Sequence, residues 1–510
     1  MRPFLLTEGL LAEGLLDDDR GGDSGREREG SHSDLKRDLG LPILFDAMAA
    51  ADEFVYGAAE SVVLSGAADV ETILYRQAVL GDCLKNRDVV RELYVLIGET
   101  LAEEKKSSLW FSHQSPSTVL HTAIGALDVL LSALGRIRDI LNARSSGFAS
   151  PGFTTLIRTL NVGIDDDFLG YARDHLHDLK FGGGILVGAE LGVGCKGRNY
   201  RALKSTRKGM TERLRERKDS LVLRIPDGDE AGSRALEELR DRGINRVADS
   251  LARSRDHVLD FLSSMRFELA FYIGCVNLHE RLAAVGAGLC LPQAAKPGER
   301  AQSGKGLYDI CLALTQGGPV VGNDLEADGR SLVVVTGANQ GGKSTFLRSV
   351  GLAQLMMQCG MFVPAERYRA NLCSSLFTHF RREEDAAMES GKLDEELRRL
   401  SGIVDDLREN SMLLFNEPFA STNEREGSEI ARRIVGALLE RRVKVFFVTH
   451  LYDFAATVFK QGEAAALFLR AERREDGTRS YRILAGEPLE TSFGKDLYAE
   501  VFDIRGPIRR

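Results

Sequence analysis

Cysteine is scarce in this sequence, and its spacing is irregular. Seven cysteines are spread over 510 residues, and no two of them form a CxxC pair. Disulfide frameworks and structural zinc sites are recognised by closely spaced cysteines at repeated intervals. We therefore predict reduced, buried thiols of a cytoplasmic protein at Cys83, Cys195, Cys275, Cys290, Cys311, Cys359 and Cys373.

Membrane and export signals are also missing from the pattern. No apolar run approaches the ~18–20 residues that a membrane-spanning helix needs. The first eight residues include an acidic one, Glu8, and no small-residue cleavage site follows them, so they do not resemble a secretory signal. We predict a cytoplasmic protein without a membrane partner.

The sequence has no strong excess of positive charge. Its formal net charge is -8, so a surface for nucleic acid would have to be local. The content of 43% hydrophobic and 28% charged residues is ordinary for a globular protein. A chain of 510 residues exceeds what one core usually supports, which predicts two to four domains.

The pattern along the chain predicts three regions. Residues 1–34 are rich in Asp, Gly, Ser, Arg and Glu at their end and are predicted to be a flexible tail. Residues 35–320 are mainly helical in pattern and are predicted to form a helical core and a lever. Glycine-rich alternation near residues 145–230 predicts a small β-containing insertion there. Residues 321–510 are predicted to form a nucleotide-binding α/β domain.

A block of basic residues lies inside the predicted insertion. Between residues 196 and 218 the cations are opposed only by Glu212 and Glu216. Lysine and arginine clusters suit phosphate contacts, so the block is a candidate DNA-binding surface, and a solvated charged face is the alternative. The candidate DNA contacts are Lys196, Arg198, Arg201, Lys204, Arg207 and Lys208.

One glycine-rich stretch predicts a nucleotide site. It follows a short apolar strand at residues 332–335 and precedes a helical pattern, and it fits Gly, any four residues, then Gly-Lys-Ser. Such a loop turns backbone N–H groups toward the phosphates of ATP or ADP. Lys343 would reach the β- and γ-phosphates, and Ser344 would bind Mg²⁺. The predicted nucleotide-binding residues are Gly337, Ala338, Asn339, Gln340, Gly341, Gly342, Lys343, Ser344 and Thr345.

Two further strands are predicted to bring polar groups to the same edge. The apolar run at residues 412–415 is followed by Asn416 and Glu417, and a second run at residues 443–448 leads to His450. Glu417 is predicted to polarise the attacking water, and His450 to sense or donate to the γ-phosphate. Asn416 stands where a carboxylate usually supports Mg²⁺.

The change from carboxylate to amide at Asn416 preserves shape but removes a charge. At ~4 Å from a cation, with an effective dielectric near 20, that loss amounts to roughly several kcal/mol. We therefore expect weaker Mg²⁺ binding or slower turnover. No further metal ligands are in reach of His175 and His177, so these two histidines are not predicted to bind metal.

Together these motifs resemble the MutS family of DNA mismatch-repair ATPases. They occur in the family's order over residues 330–500. They are Thr336–Thr345, Gly360–Ala365, Phe377–His379, Asn416–Glu417, Ser421–Gly427, Val448–His450 and Thr491–Gly494.

The resemblance implies a multidomain protein: an α-helical core and lever with a clamp-like insertion, followed by an ABC-like P-loop ATPase domain. It implies a homodimer in which the partner subunit completes each nucleotide site. It also implies that residues 421–427 communicate across the dimer and that the basic insertion takes the place of the DNA clamp.

The sequence departs from the family pattern at several places. Leu393 and Asp394 stand where an in-trans Ser-Thr is usual, and Ala338 and Gln340 replace the common Pro and Met. About 34 residues precede the helical core, whereas the family's mismatch sensors carry two further domains there. Phe267–Glu268 lies in a helical pattern and is not the family's wedge. We therefore expect a protein that is not a classical mismatch reader and that carries no nuclease domain.

We predict a Mg-ATP-dependent ATPase that grips double-stranded or branched DNA. Two alternatives remain open from the sequence. The first is a nucleotide-controlled switch for a protein partner, in which DNA has no part. The second is a nucleotide-binding scaffold with weak hydrolysis, which Asn416 favours.

Overall fold

The computed structural model describes residues 5–6, 32–108, 115–181, 185–195, 197–203, 225–226, 229–382, 391–462, 465–474 and 478–489. The chain divides into two compact units. The first comprises Met1–Leu5 and Asn86–Leu269, and the second comprises Leu6–Lys85 and Ala270–Arg510. Most of the predicted tail, residues 7–31, lies outside the described residues.

Three helices lie before Asn86 in the chain and belong to the second unit. They are α1 (Leu41–Ala49), α2 (Glu53–Ser65) and α3 (Val70–Lys85), and residues 32–39 are helical as well. Asp52 fixes the start of α2, because its side chain accepts hydrogen bonds from the backbone N–H groups of Phe54 and Val55. The helical pattern predicted from residue 41 onward is confirmed.

The first unit is mainly helical. Four helices have apolar residues at helical spacing along one face. A fifth, longer helix begins in this unit and ends in the second. They are α4 (Arg87–Ser108), α5 (Pro116–Ala143), α6 (Pro151–Gly163), α7 (Asp166–Leu179) and α8 (Glu230–Ala284). With 55 residues, α8 is about 80 Å long.

Helix α5 corrects one prediction from the sequence. It has 28 residues and is long and apolar enough to cross a membrane, so the prediction that no run approaches that length was wrong. Within the fold, 56% of its most apolar window is buried. Residues such as Leu120, Leu127 and Leu134 repeat every seven positions on the buried side, as in a core helix.

A small hairpin lies within the predicted insertion. Strands β1 (Leu186–Leu191) and β2 (Gly197–Leu203) pair antiparallel, with Leu186 opposite Leu203. The earlier part of the predicted insertion is helical: residues 151–179 form α6 and α7, each with buried apolar residues. The later strand predicted near Leu221 falls outside the described residues.

Two sheets form the second unit. The strands of the larger, six-stranded sheet are β6 (Leu332–Gly337), β8 (Leu376–Phe380), β9 (Met412–Asn416), β10 (Lys444–Val448), β11 (Ala466–Arg473) and β12 (Arg479–Ala485). Their order is β12-β11-β6-β10-β9-β8, in which only β12 runs antiparallel to its neighbour. Five further helices lie in the described part of this unit: α9 (Ile310–Gln316), α10 (Lys343–Gln358), α11 (Lys392–Asp406), α12 (Glu424–Glu440) and α13 (Tyr452–Lys460).

The four-stranded sheet explains why the unit begins before residue 320. It is formed by β3 (Gln293–Ala295), β4 (Gln302–Leu307), β5 (Asn323–Glu326) and β7 (Arg367–Asn371), in the order β3-β7-β4-β5. Strand β4 pairs with β7, which comes after the glycine-rich loop, so residues 293–307 cannot belong to a separate helical region. The predicted boundary near residue 320 is corrected accordingly.

The parallel strands are held by an aromatic core. The rings of Phe415 and Phe447 lie 5.1 Å apart, and those of Phe447 and Phe454 lie 4.7 Å apart. Every residue of β6 and of β10 is buried, as expected for strands covered on both faces. Because β6, β9 and β10 run parallel, their carboxyl ends lie along one edge of the sheet, where ligands bind in open α/β folds.

Candidate nucleotide-binding site

The glycine-rich loop joins β6 to α10 through left-handed backbone. The φ angles are 109° at Gly337, 56° at Gln340 and 90° at Gly342. A Cβ atom at Gly337 would lie 2.9 Å from the backbone nitrogen of Ala471 on β11, so no larger residue fits. The predicted order of strand, loop and helix is confirmed, with α10 beginning at Lys343.

Lys343 is buried inside this loop. Its side chain is 4% exposed, and Nζ donates to the carbonyl oxygens of Gly337 (3.1 Å) and Ala338 (3.0 Å). Burial lowers the pKa of Lys343 to about 8; the charge of Glu417 opposes this shift, and that of Arg479 adds to it. The ammonium group is thus held inside the glycine-rich loop by two carbonyl oxygens.

A cleft of about 470 Å³ opens beside the loop. Its walls combine the loop, including Asn339, Ser344 and Thr345, with Glu417 and an apolar side. That volume lies in the range of ordinary ligand pockets, and apolar lining with few polar groups is typical of them. The apolar and aromatic side is formed by Leu312, Pro319, Val320, Val321 and Tyr481.

The two predicted metal ligands meet at the edge of the cleft. The Ser344 hydroxyl donates to Asn416 Oδ1 at 2.9 Å. Among the described residues no group of three or more His, Cys, Asp or Glu side chains could hold a metal by itself. Mg²⁺ commonly binds through one or two carboxylates together with substrate phosphates. The hydroxyl of Ser344 and the amide oxygen of Asn416 offer oxygen ligands for such an ion but no negative charge.

Glu417 and His450 also meet. His450 Nε2 lies 3.0 Å from Glu417 Oε1, and Glu417 Oε2 lies 3.9 Å from Arg381 Nη1. The hydrogen bond with His450 is the largest cause that holds the pKa of Glu417 below its ordinary value, and the charges of Lys343 and Arg381 contribute to the same direction. The carboxylate is therefore ionised and able to accept a proton.

The backbone around Glu417 is constrained. Glu417 and Phe419 have φ angles of 54° and 60°, which are unfavourable for residues with side chains. The Glu417 N–H donates to Val448 O at 2.8 Å, and the Phe419 N–H donates to Glu396 Oε1 at 2.8 Å. These contacts hold the loop in a conformation that it would not adopt alone.

Other predicted residues lie elsewhere or outside the described residues. Arg198 and Arg201 are exposed on β2 in the first unit, and His175 and His177 lie on α7. Among the predicted motif residues, those of Thr491–Gly494 fall outside the described part of the chain. The same holds for four of the candidate DNA contacts, Lys196, Lys204, Arg207 and Lys208.

Three residues near the cleft were not found from the sequence. Arg479 donates from Nε to Asn339 O at 3.2 Å, Tyr481 lines the cleft, and Arg381 lies beside Glu417. Arg479 and Tyr481 belong to β12, an antiparallel edge strand far along the chain. The alternation of residues around Arg479 and Tyr481 predicts a strand, but it does not show that this strand lies beside the glycine-rich loop.

The low pKa of Lys343 leads to a testable pH effect. A bound phosphate would raise this pKa from about 8, so ATP binding should take up a proton near pH 8.5. Affinity should be constant below pH 8 and fall by up to about tenfold per pH unit above it, until the raised pKa is reached. Calorimetry in two buffers of different ionisation enthalpy measures the uptake. Uptake at pH 8.5 that persists in Lys343→Met would contradict this assignment.

Comparison with known proteins places two family models on the chain. The model of the MutS2 N-terminal domain matches residues 68–285, and that of MutS domain V matches residues 333–501. The second match includes the glycine-rich loop, Asn416, Glu417 and His450.

Individual relatives match parts of the chain. The DNA mismatch repair protein MutS of Thermus aquaticus is 31% identical over 40% of this chain and 24% of its own length. MutS of Clostridium kluyveri is 23% identical over 83% of this chain and 47% of its own length. MutS protein homolog 4 of Homo sapiens is 28% identical over 29% of this chain and 16% of its own length. The chain spans less than half the length of each of these relatives.

Proposed function

Because the chain belongs to the MutS family, we propose that it is a Mg²⁺-dependent DNA-binding ATPase. One observation carries the ATPase part of the proposal. Lys343, the Ser344–Asn416 pair and the Glu417–His450 pair lie around one cleft at the carboxyl edge of the sheet. These groups are the ones that nucleotide hydrolysis requires.

Each group has a distinct task in the proposed reaction. Lys343 and the loop N–H groups bind the phosphates of ATP, and Ser344 and Asn416 would hold Mg²⁺. A bound Mg²⁺ would neutralise charge that develops on the transferred phosphoryl group. Glu417 accepts a proton from the attacking water, and His450 orients the Glu417 carboxylate. Val321 and Tyr481 supply an apolar surface for the base.

DNA binding and dimerisation are the finer parts of the proposal. The exposed arginines of β2 and the basic residues that follow them in sequence support a DNA-binding surface. Family membership supports a homodimer in which each nucleotide meets the partner subunit. The chain's departure from the family's Ser-Thr at Leu393–Asp394 leaves that contact to other residues.

One set of rate measurements tests the proposed function. ATP hydrolysis is measured without DNA and with homoduplex, mismatched, branched and single-stranded DNA. We expect stimulation by double-stranded or branched DNA, and Lys343→Ala should remove both the basal and the stimulated rate. Hydrolysis that no DNA changes would favour a protein-interaction switch instead.

The exposed arginines of the hairpin can be tested directly. Changing Arg198 and Arg201 to Glu should weaken DNA binding at low salt. The slope of log affinity against log salt concentration should decrease by ~0.9 for each phosphate that the variant no longer neutralises. The measurement is a fluorescence-anisotropy titration at several salt concentrations. Arg433→Glu on α12, which also reverses an exposed charge, is the matched control; equal binding by all three proteins would remove the hairpin from the DNA surface.

Asn416 supports a second candidate, a nucleotide-binding scaffold with weak hydrolysis. If the missing charge limits Mg²⁺ binding, Asn416→Asp should lower the Mg²⁺ concentration that gives half-maximal activity and raise the rate by about tenfold or more. A Mg²⁺ titration of ATP hydrolysis measures both quantities. Background rates in the wild type, Asn416→Asp and Glu417→Gln alike would support the scaffold.

A further inference from the structure

A second cavity lies on the other side of the Glu417 loop. It has a volume of about 190 Å³. It lies where β8 ends and α11 begins, and Ala420 and Ser421 from the loop complete its wall. We call it the cationic cavity, because four positively charged side chains line it: Arg381, Arg382, Lys392 and Arg399.

Among the described residues that line the cavity, four are cations and two are carboxylates. The carboxylates that also line it are Glu395 and Glu396. Glu396 is already engaged, because Oε1 accepts the Phe419 N–H at 2.8 Å and lies 3.4 Å from Nε2 of the buried His379. Outside the lining, Asp34 forms an ion pair with Arg382.

Arg399 shows that the surroundings do not fully compensate its charge. Its Nη2 donates to Phe380 O at 2.8 Å, whereas its buried Nε has no hydrogen-bond acceptor among the residues that the structure describes. Burial and the charge of Arg382 lower the pKa of Arg399, and Asp34, Asp38 and Glu396 only partly oppose this. An additional anion would relieve both deficits.

We propose that the cationic cavity binds the oxyanion of a phosphate group. Arginine forks match the geometry of phosphate oxygens, and three arginines with one lysine around a small open cavity can give several charge-assisted hydrogen bonds. The phosphate can come from solution or from a nucleotide that a second copy of this chain carries. Only the second source rests on the proposed function.

Arg381 connects the cavity to the loop that carries Glu417. It lines the cavity, and its Nη1 lies 3.9 Å from Glu417 Oε2. An anion in the cavity and the Glu417 carboxylate would therefore contact the same guanidinium group.

The binding test uses the full chain with Lys343→Ala, so that the phosphate loop does not capture the probe. Inorganic phosphate and sulfate are titrated at constant ionic strength and followed by calorimetry. Arg399→Gln and Lys392→Gln should each reduce affinity by about tenfold to a hundredfold. Lys392 begins α11 and is exposed, so its loss tests the cavity even if Arg399→Gln disturbs folding.

A matched control lies next to Arg399 in the sequence. Arg398 is on the same helix, its side chain is 77% exposed, and it pairs with Asp394 instead of lining the cavity. Arg398→Gln removes the same charge and should leave anion binding unchanged. The proposal would be overturned if anion affinity and ATP-dependent self-association were both equal in three variants: Arg398→Gln, Arg399→Gln and Lys392→Gln.

The two phosphate sources give different results. Binding of inorganic phosphate that is lost in Arg399→Gln and Lys392→Gln supports a site for the free ion. Self-association with Mg-ATP is measured by sedimentation with Lys343 intact. If it is lost in Arg399→Gln and Lys392→Gln but not in Arg398→Gln, the result supports a nucleotide from a second copy. Anion binding without any ATP hydrolysis would remove the proposed function and leave the cavity assignment standing.

Discussion

Glu417→Gln is expected to reduce ATP hydrolysis by about 10²–10⁴-fold while ATP binding is retained. The amide keeps the shape of the carboxylate and can still contact His450, but it cannot accept a proton from water. Rapid-quench measurement of a single turnover gives the rate, and equilibrium binding of labelled ATP gives the affinity. The variant should accumulate with ATP bound, as a dimer if the partner subunit completes the site.

Glu409→Gln is the control for this prediction. Glu409 is a surface residue whose side chain is 58% exposed and pairs with Arg442, so the same substitution there should leave the rate unchanged. A Glu417→Gln rate within threefold of the wild type would mean that another group activates the water. His450→Asn should then be compared, since His450 is the hydrogen-bonding partner of Glu417.

Phe447→Ala is expected to destabilise the second unit by about 3–5 kcal/mol. Phe447 is fully buried in the middle of β10 and contacts the rings of Phe415 and Phe454, so its removal leaves a cavity between three elements that cannot collapse easily. Phe54→Ala removes the same side chain from α2, where it is 38% exposed, and should cost much less.

Thermal unfolding with and without ADP measures this effect. Because the chain has two compact units, a single transition cannot be assumed. A ligand that binds the second unit raises the midpoint of that unit's transition, which identifies it. A shift of the ADP-sensitive midpoint that is no larger in Phe447→Ala than in Phe54→Ala would show that the aromatic core contributes little.

The phosphate-loop part of the site was predictable because its physics is local. Gly337, Gly342 and Lys343 are specified by backbone conformation and by neighbouring residues in sequence, so a short pattern suffices. The ends of β9 and β10 were predictable as well, because four or five consecutive apolar residues mark a buried strand and the next residue must emerge at its end. Asn416, Glu417 and His450 follow from that rule.

The remainder depends on contacts that a local pattern does not encode. Helical spacing shows that α1–α3 have buried faces but not that these belong to the second unit. The charges of Asp34 and Asp38 act on the pKa of Arg399, and Asp34 also pairs with Arg382, although both carboxylates are more than 300 positions away in sequence. Lys444 reads as a charged residue at a strand start, yet it is buried and donates to Ala301 O and Asn371 Oδ1. Such pairings are properties of the tertiary fold.

The packing of residues 32–85 determines which fragments of this protein can fold. A Cβ atom on Gly351 of α10 would lie 2.8 Å from Leu414 and 2.9 Å from Leu39, so Leu39 fills the space directly over the helix that follows the glycine-rich loop. Gln77 Nε2 in α3 donates to Pro292 O at 2.9 Å in the same unit.

A recombinant fragment that starts at residue 321 would therefore expose the apolar surface under Leu39 and would lose β3 and β4 from the smaller sheet. A version of the second unit alone would join two pieces of the chain, Leu6–Lys85 and Ala270–Arg510, with a synthetic tether in place of the inserted unit.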